Sequence, residues 1–326
     1  SSPMPIWKFW LKCPGGCLVV TQSWTSSHFR EIPMWRVVKD CVFQGNFTAK
    51  EVDMTGKTVV ITGPSRGGIG FETAFSLAKQ GAKVLFAARN LEKATKELEE
   101  MTSMATLPVK PELFKCDVSS VESARTCAEE ILKEHSVDVL INNAGAVFEE
   151  KKKNDDGVEI TFATCVLGHH MLNFLLKPQR IVWVTGDIYA IADGSANPSF
   201  EGKGFGAYAN ACLARIMLAR EMKSRGIATE IIAVHPGVIR SEFAKPKNCC
   251  EGFVMNWCDC SRIDVAKGAQ SSIYAATCPS SDLPKETIYF HNKYGWYVLK
   301  PGDLALNEAR CKSLFDECDA LCGISR

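Results

Sequence analysis

A glycine-rich run is the part of this sequence whose residue types and spacing most clearly predict chemistry. It reads TGPSRGGIG over residues 62–70, between the β-branched segment 57–62 and the helix-like segment 68–80. Glycines let the backbone approach phosphates, and a helix N-terminus offers unpaired N–H groups and the positive end of a dipole. A strand before the run and a helix after it are the context that such a site requires. The run therefore predicts a phosphate-binding loop for a dinucleotide, with a purely structural turn as the alternative.

The elements that must position this loop alternate along the rest of the chain. Short apolar segments predict strands at 57–62, 83–88, 112–116, 137–142, 180–185, 229–234 and 287–290. Helix-like segments lie between and after them at 68–80, 91–101, 119–134, 155–176, 207–224, 264–276 and 305–322. Strands that alternate with helices form a parallel sheet covered on both faces. We therefore predict a doubly wound Rossmann α/β domain over residues 54–326, preceded by an N-terminal extension over residues 1–53.

Two further motifs follow predicted strands and carry a family resemblance. NNAG at 142–145 follows the fourth strand, and HPG at 235–237 follows the sixth. With the glycine-rich run, the segment 68–90, DGVE at 156–159 and LGH at 167–169, they resemble the short-chain dehydrogenase/reductase family, in its retinol-dehydrogenase-like and WW-domain-oxidoreductase-like branch. The resemblance covers residues 54–320. It implies a seven-stranded sheet, NAD(P) binding, and hydride transfer between the nicotinamide and a carbonyl or alcohol carbon.

The resemblance also implies which residues hold the cofactor. Arg66 and Arg89 match positions where a guanidinium favours the 2′-phosphate of NADP, so NADP(H) is expected over NAD(H). Asp117 matches an adenine contact and Ser241 a nicotinamide contact. The whole implied set is Gly63, Ser65, Arg66, Gly67, Gly68, Ile69, Gly70, Arg89, Asp117, Asn143, Ala144, Gly145, Tyr208, Pro236, Gly237 and Ser241.

The glycine-rich run departs from the family spacing by one residue. The family has three residues between TG and GIG, whereas this chain has PSRG, with one glycine more. The extra glycine either bulges out harmlessly or draws Arg66 and the loop amides away from the phosphates. A chain that binds no dinucleotide is therefore kept as an alternative.

Of the catalytic tetrad that the resemblance implies, this chain retains one member. Tyr208 matches the proton-transferring tyrosine, but the lysine position four residues later is Cys212. The serine position is Gly186, with Thr185 one residue earlier as a weaker candidate, and the asparagine position is Cys165. A tyrosine with no ammonium beside it titrates near pH 10 and stays protonated. Since proton-transfer catalysis typically contributes about 10²–10⁴-fold, carbonyl chemistry is expected to be very slow.

These losses favour a degenerate short-chain dehydrogenase/reductase that retains NADP(H) binding and serves a binding or structural role. Membership of a larger organellar or membrane-associated assembly is one form of that role. Two alternatives stay open. One is an active NADP-dependent oxidoreductase of a lipophilic carbonyl or alcohol, in which Arg215 or Lys203 replaces the missing lysine. The other is a sensor whose affinity for a partner changes when NADPH binds.

Composition argues against several other classes of protein. The net charge is +1, and no cluster of basic and aromatic residues predicts a nucleic-acid partner. No apolar run reaches the length of a membrane-spanning helix. The 15 cysteines are odd in number and too sparse for a disulfide scaffold, so we expect most to be reduced and buried, with no metal site.

The N-terminal extension is rich in aromatic and basic residues. Four of the seven tryptophans lie in it, at positions 7, 10, 24 and 35. Such a segment either packs on its own domain or lies on a membrane surface or a protein partner. Nothing in the sequence assigns a compartment.

Overall fold

One sheet with helices on both faces organises the molecule. The computed structural model describes residues 47–240 and 262–325. The strand order is β3-β2-β1-β4-β5-β6-β7-β8, and each neighbouring pair is parallel except β7 with β8. The bounds are β1 Thr58–Thr62, β2 Lys83–Ala88, β3 Glu112–Lys115, β4 Val139–Asn142, β5 Arg180–Val184, β6 Glu230–His235, β7 Tyr289–His291 and β8 Gly295–Tyr297. This confirms the doubly wound α/β class.

The helices cover the sheet in two layers, each with its own apolar core. They are α1 Ile69–Lys79, α2 Leu91–Met104, α3 Val121–Leu132, α4 Gly168–Leu176, α5 Gly204–Ser224, α6 Val265–Thr277 and α7 Glu308–Leu321. Because successive strand residues point to opposite faces, Val60 belongs to the core under α3, α4 and α5, while Val59 and Ile61 belong to the core under α1 and α6. The chain turns from one half of the sheet to the other between β1 and β4, and ligands of such folds bind at that point.

The last strand was not predicted from the sequence. It is three residues long, pairs antiparallel with β7 and brings the sheet to eight strands, where about seven were expected. Its partly buried GWY sequence is too short to show the alternation of apolar and polar residues that marks a strand.

The helix expected over residues 155–176 begins later and is not uniform. Gly157 adopts a φ of 77°, and the amide of Asn154 donates to the Val158 carbonyl, so this stretch turns instead of starting the helix. The chain then forms an α-helical turn at Ile160–Phe162, a π-helix at Ala163–Leu167 and only then α4. The π-helix carries Cys165 at the family's asparagine position. Inserted π turns occur often at functional sites.

The described end of the N-terminal extension packs on the domain. The Phe47 ring meets Tyr274 and Phe290 edge-on, at centroid distances of 5.2 and 5.0 Å, and the Ala49 amide donates to Gln270. The tryptophan-rich residues before position 47 lie outside the described residues. Within the described residues, no helix is both long enough and apolar enough to cross a membrane.

Candidate functional site

The N-terminus of α1 offers unpaired amide groups beside the glycine-rich loop. The amides of Ile69 and Gly70 have no hydrogen-bond acceptor among the described residues, and the helix cap at Gly68 uses no side chain. Close packing holds the loop in place: a Cβ on Gly70 would lie 2.5 Å from Asn143 Nδ2 and 3.0 Å from the Gly63 carbonyl oxygen. The loop therefore presents donors suited to phosphate oxygens.

The extra residue of the loop is absorbed by a β-turn. The Gly68 amide donates to the Ser65 carbonyl at 3.0 Å, and Gly67 takes a φ of +75°, which favours glycine. A Cβ on Gly67 would meet nothing within 4 Å, so the extra glycine projects into open space. The bulge leaves Gly63 and Gly70 in contact with the loop after β4.

The guanidinium of Arg66, in this turn, already pairs with two carboxylates. Its Nε lies 2.9 Å from Glu100, its Nη1 lies 3.7 Å from Glu72, and its guanidinium stacks 4.8 Å above the Phe71 ring. Its backbone amide donates to the buried carboxylate of Glu97 at 2.9 Å. The expectation that Arg66 meets a 2′-phosphate stays a prediction, since these contacts compete with it.

Arg89 and Asp117 lie at the ends of β2 and β3, as expected for the adenosine end of the crevice. Arg89 is exposed and pairs with no described residue. Asp117 Oδ1 accepts the Ser119 amide at 3.0 Å and the Ser119 hydroxyl at 2.7 Å. Arg89 is thus a guanidinium open to an anion, whereas Asp117 is partly used to shape the start of α3.

Thr62 joins the loop to the catalytic half of the crevice. Its Oγ1 accepts the amides of Asn143 and Ala144 at 3.0 and 2.9 Å, and it lies 2.9 Å from His169 Nε2. His169 Nδ1 lies 2.9 Å from the Cys165 carbonyl, so Nδ1 carries the proton and Nε2 accepts the threonine hydroxyl. Burial and a nearby guanidinium lower the pKa of His169 to about 3, which keeps the ring neutral.

The predicted nicotinamide end is described only in part. Pro236 and Gly237 follow β6, and Gly237 adopts a φ of +94°. A Cβ there would lie 2.9 Å from Ile263 Cδ1, so that side chain would have to shift, and the positive φ itself favours glycine. Ser241 lies outside the described residues.

Tyr208 and Cys212 lie one turn apart on α5 and hydrogen-bond to each other through their side chains. Burial and the neighbouring thiol raise the pKa of Tyr208 well above its ordinary value. Burial likewise raises the pKa of Cys212 to about 11. The Thr185 hydroxyl donates to the Cys212 carbonyl at 3.0 Å, and Gly186 has no side chain to orient a substrate oxygen. The Tyr208 hydroxyl and the Cys212 thiol are therefore both protonated at neutral pH.

Arg215, three residues beyond Cys212, brings a guanidinium into the same region. Its Nε donates to the Cys165 carbonyl at 2.7 Å, and its Nη atoms donate to the carbonyls of Val184 and Ala144. The side chain is buried, and no carboxylate pairs with it in the described part of the chain. It thus joins the π-helix, the end of β5 and the loop after β4. Lys203, by contrast, is exposed at the N-cap of α5.

Sequence reasoning missed two features of this site. His169 was taken as part of a backbone motif, although it links Thr62 to the carbonyl that Arg215 binds. The second is the group Asp187, His235 and His291, whose ligand-type atoms lie within 4.8 Å of one another. Nothing in the sequence places these last three together, because they come from three different strand ends.

The arrangement defines a doubly wound α/β protein with a glycine-rich loop at its switch point, and comparisons with known proteins specify the family. The family model for short chain dehydrogenases matches residues 57–251. Human retinol dehydrogenase 12 is 35% identical over 221 residues, covering 62% of this chain and 68% of its own. Human retinol dehydrogenase 11 is 32% identical over 291 residues, covering 83% of this chain and 87% of its own. The chain therefore belongs to the short-chain dehydrogenase/reductase family, in the branch that resembles the retinol dehydrogenases.

Solved structures agree on the fold. An uncharacterized protein from Mycobacterium paratuberculosis superposes with a TM-score of 0.66 at 24% identity, covering 86% of this chain and 99% of its own. A protein assigned as an NAD(P) dependent gluconate 5-dehydrogenase from Beutenbergia cavernae, with NADP bound at low occupancy, gives a TM-score of 0.58 at 19% identity, covering 75% of this chain and 98% of its own.

Proposed function

We propose that this protein binds a nicotinamide dinucleotide, with NADP(H) preferred, but that its hydride transfer to a carbonyl is severely impaired. On this reading it acts as a binding or structural unit, in the manner of a cofactor-occupied subunit or a sensor. Membership of the family supports dinucleotide binding, and the solved structure with NADP bound is consistent with it.

The described residues fit the cofactor. The amides of Ile69 and Gly70 suit the pyrophosphate, Asn143 and Ala144 border the loop, and Arg89, which pairs with none of the described residues, suits a 2′-phosphate. When bound, a nicotinamide dinucleotide supplies a hydride donor or acceptor. This chain's own residues then determine whether a proton can accompany the hydride.

One observation carries the proposal of impairment: the cation near Tyr208 is a guanidinium whose nitrogens all donate to backbone carbonyls. An arginine does not lose its proton in proteins, so Arg215 cannot relay one. The Arg215 charge does favour ionisation of Tyr208, but burial and the Cys212 thiol outweigh it, and the phenol's pKa remains raised. Tyr208 therefore keeps its proton, and position 212, where the family has its lysine, offers it a thiol in place of an ammonium.

A restoration experiment tests this proposal. A triple variant, Cys212→Lys, Gly186→Ser and Cys165→Asn, rebuilds the tetrad but leaves Arg215 in place. A quadruple variant adds Arg215→Asn, which frees the carbonyls and removes the second cation. We expect single-turnover oxidation of NADPH with a carbonyl panel to rise by at least about 10²-fold in the quadruple variant only.

The same panel of carbonyl compounds gives the outcome that would contradict the proposal. Turnover by the wild-type protein at rates of about 1 s⁻¹ or more, the usual lower range for enzymes, would show an active site that works without the lysine. Calorimetric titration with NADPH and NADH provides the separate test of cofactor binding. If neither NADPH nor NADH binds, the proposal of dinucleotide binding is wrong.

A second candidate is an active NADP-dependent oxidoreductase of a lipophilic carbonyl or alcohol. The observation in its favour is the Arg215 charge, which acts on Tyr208 in the direction that a catalytic lysine would. It predicts that Tyr208→Phe abolishes any measured turnover. Turnover that is unchanged in that variant counts against it.

A further inference from the structure

The carboxylate of Glu97 lies on the buried face of α2, where an apolar side chain would fit. The other buried residues of this helix are Ala94, Leu98 and Met101. The Glu97 side chain is 8% exposed, whereas that of Glu100, one turn further along the helix, is 44% exposed. Glutamates are seldom buried without a partner, because removing a carboxylate from water is costly. A partner must therefore account for Glu97.

That partner is the backbone of the glycine-rich loop. The amide of Arg66 donates to Glu97 Oε1 at 2.9 Å, and the ammonium of Lys93 lies 3.6 Å from the same oxygen. The guanidinium of Arg66 contacts Glu100 and Glu72 instead. Glu97 thus binds the main chain of the loop and leaves the arginine side chain to its neighbours.

The bonded amide belongs to the turn that absorbs the extra residue of the loop. The Gly68 amide closes this turn on the Ser65 carbonyl at 3.0 Å, with Arg66 and Gly67 at its two central positions. The Arg66 amide has its acceptor outside the turn, on α2. An amide deprived of such an acceptor loses free energy, so the bond to Glu97 fixes the turn against that helix.

A second attachment holds the loop just before the turn. The Asn143 side chain donates to the carbonyls of Thr62 and Gly63 at 2.8 and 3.2 Å. Asn143 is part of the NNAG motif, whereas Glu97 lies outside every motif of the family resemblance. The longer loop is therefore held once by a residue of a family motif and once by a residue outside those motifs.

We infer that Glu97 is a positioning residue, which compensates for the extra residue of the loop by holding the Arg66 amide against α2. The turn then stays clear of the amides at the start of α1 that suit a pyrophosphate. Acceptance of the hydrogen bond is what this role needs, since a negative charge near bound phosphates repels them. The expected effect on affinity rests on the proposed dinucleotide binding, but the attachment of the loop does not.

Two substitutions separate hydrogen bonding from charge. Glu97→Met fits the buried face but has no oxygen acceptor, whereas Glu97→Gln keeps an oxygen and removes the charge. In the Met variant, hydrogen–deuterium exchange over residues 63–70 should be about tenfold faster and the Kd for NADPH about tenfold higher, because a charge-assisted bond is lost. The Gln variant should stay within about threefold of the wild type in both measurements.

The matched control is Glu100→Met, on the same helix. It removes a carboxylate that contacts the guanidinium of Arg66 near the surface, so exchange over residues 63–70 should change by less than about twofold.

Deletion of Gly67 tests whether Glu97 serves the longer loop in particular, because it restores the family's three residues between TG and GIG. In the deleted chain, Glu97→Met should change loop exchange and NADPH affinity by less than about twofold, since the turn that needs the acceptor is gone.

Unchanged exchange in the Met variant, a Gln variant as impaired as the Met variant, or an equal effect with and without Gly67 would overturn the inference. If the deleted chain does not fold by circular dichroism, the Met, Gln and Glu100 variants decide. A wild-type protein that binds neither NADPH nor NADH contradicts the proposed function, and loop exchange alone then tests Glu97.

Discussion

Gly63 and Gly70 in the loop half of the crevice are packed more closely than Gly186 in the catalytic half. In the loop half, a Cβ on Gly70 would lie 2.5 Å from Asn143 and one on Gly63 would lie 2.9 Å from Ala144. In the catalytic half, a Cβ on Gly186 would meet nothing closer than 3.7 Å. The part of the site that suits phosphates is thus tightly built, whereas space remains where the reacting carbon would lie.

The difference indicates that phosphate binding and proton transfer depend on separate parts of such a fold. Phosphate binding depends on backbone amides at a strand–helix junction, which follow from the fold itself. Proton transfer depends on a few side chains of β5 and α5, which can change without loss of the sheet. The buried path from Thr62 through His169 to the carbonyl bound by Arg215 still connects the two halves.

Removal of the buried guanidinium should change stability more than any other substitution considered below. Arg215→Met leaves carbonyls in three elements without their donor, and we expect the free energy of unfolding to fall by about 3–5 kcal/mol. Urea denaturation measures it. Arg225→Met is the control, because Arg225 pairs with Glu221 and Asp316 near the surface, and a loss below about 1 kcal/mol is expected. Equal losses would mean that Arg215 is not structural.

Matched alanine substitutions test the packing difference between the two halves. Gly70→Ala forces a Cβ against the loop and should lower the free energy of unfolding by about 1–3 kcal/mol and weaken NADPH binding. Gly186→Ala should change stability by less than about 0.5 kcal/mol, because its Cβ has ordinary contacts. Denaturation measures the free energy of unfolding of both variants, and calorimetry measures their NADPH binding. A larger effect at position 186 would reverse the comparison.

The link between the halves should be visible in the pH dependence of stability. The pKa of His169 is about 3 in the folded protein against 6.5 ordinarily, so the unfolded chain takes up a proton first as pH falls. Stability is therefore complete above pH 6.5 and is lost from there down to about pH 3. Between pH 7 and 5 this amounts to about 2 kcal/mol.

Denaturant midpoints at the two pH values measure this loss. His169→Gln should flatten the dependence, and the control His135→Gln, at the edge of the sheet beside Glu112, should leave it steep. A steep dependence in the His169 variant would assign the effect to another group.

A weaker effect, on NADPH affinity, should distinguish the two arginines of the loop half. Arg89→Ala should weaken NADPH binding about tenfold, ~1.4 kcal/mol, with little change for NADH. Arg66→Ala should weaken NADPH binding by less than about threefold, since Glu100 and Glu72 already hold its guanidinium. Fluorescence titration of both variants measures this. The reverse order would assign the 2′-phosphate to Arg66.

The sequence predicted the elements that rest on long apolar periodicity and missed those set by tertiary contact. β1, β2 and α1 were expected within about one residue of their bounds, because buried β-branched runs and flanking glycines mark them. The π-helix at Ala163–Leu167 has no sequence signal. It is accompanied by Gly168, where a Cβ would lie 2.2 Å from the Val118 carbonyl oxygen, a contact between elements far apart in the chain.

The same distinction holds for the site. The loop residues follow from motif spacing, whereas Tyr208 and the cysteine at the lysine position, Cys212, follow from the family resemblance. Spacing could place Arg215 near them but could not show its carbonyl acceptors, which come from three other elements. The cluster at Asp187 depends on the strand order, and that order appears only when the sheet is assembled.

The position of Arg215 also limits what position 212 can carry. A lysine at 212 and an arginine at 215 would place two cations in one poorly solvated pocket, an arrangement that burial and like-charge repulsion both disfavour. Because the guanidinium also links three backbone segments, a lysine introduced at 212 alone is expected to be unfavourable, and a second change at position 215 has to accompany it.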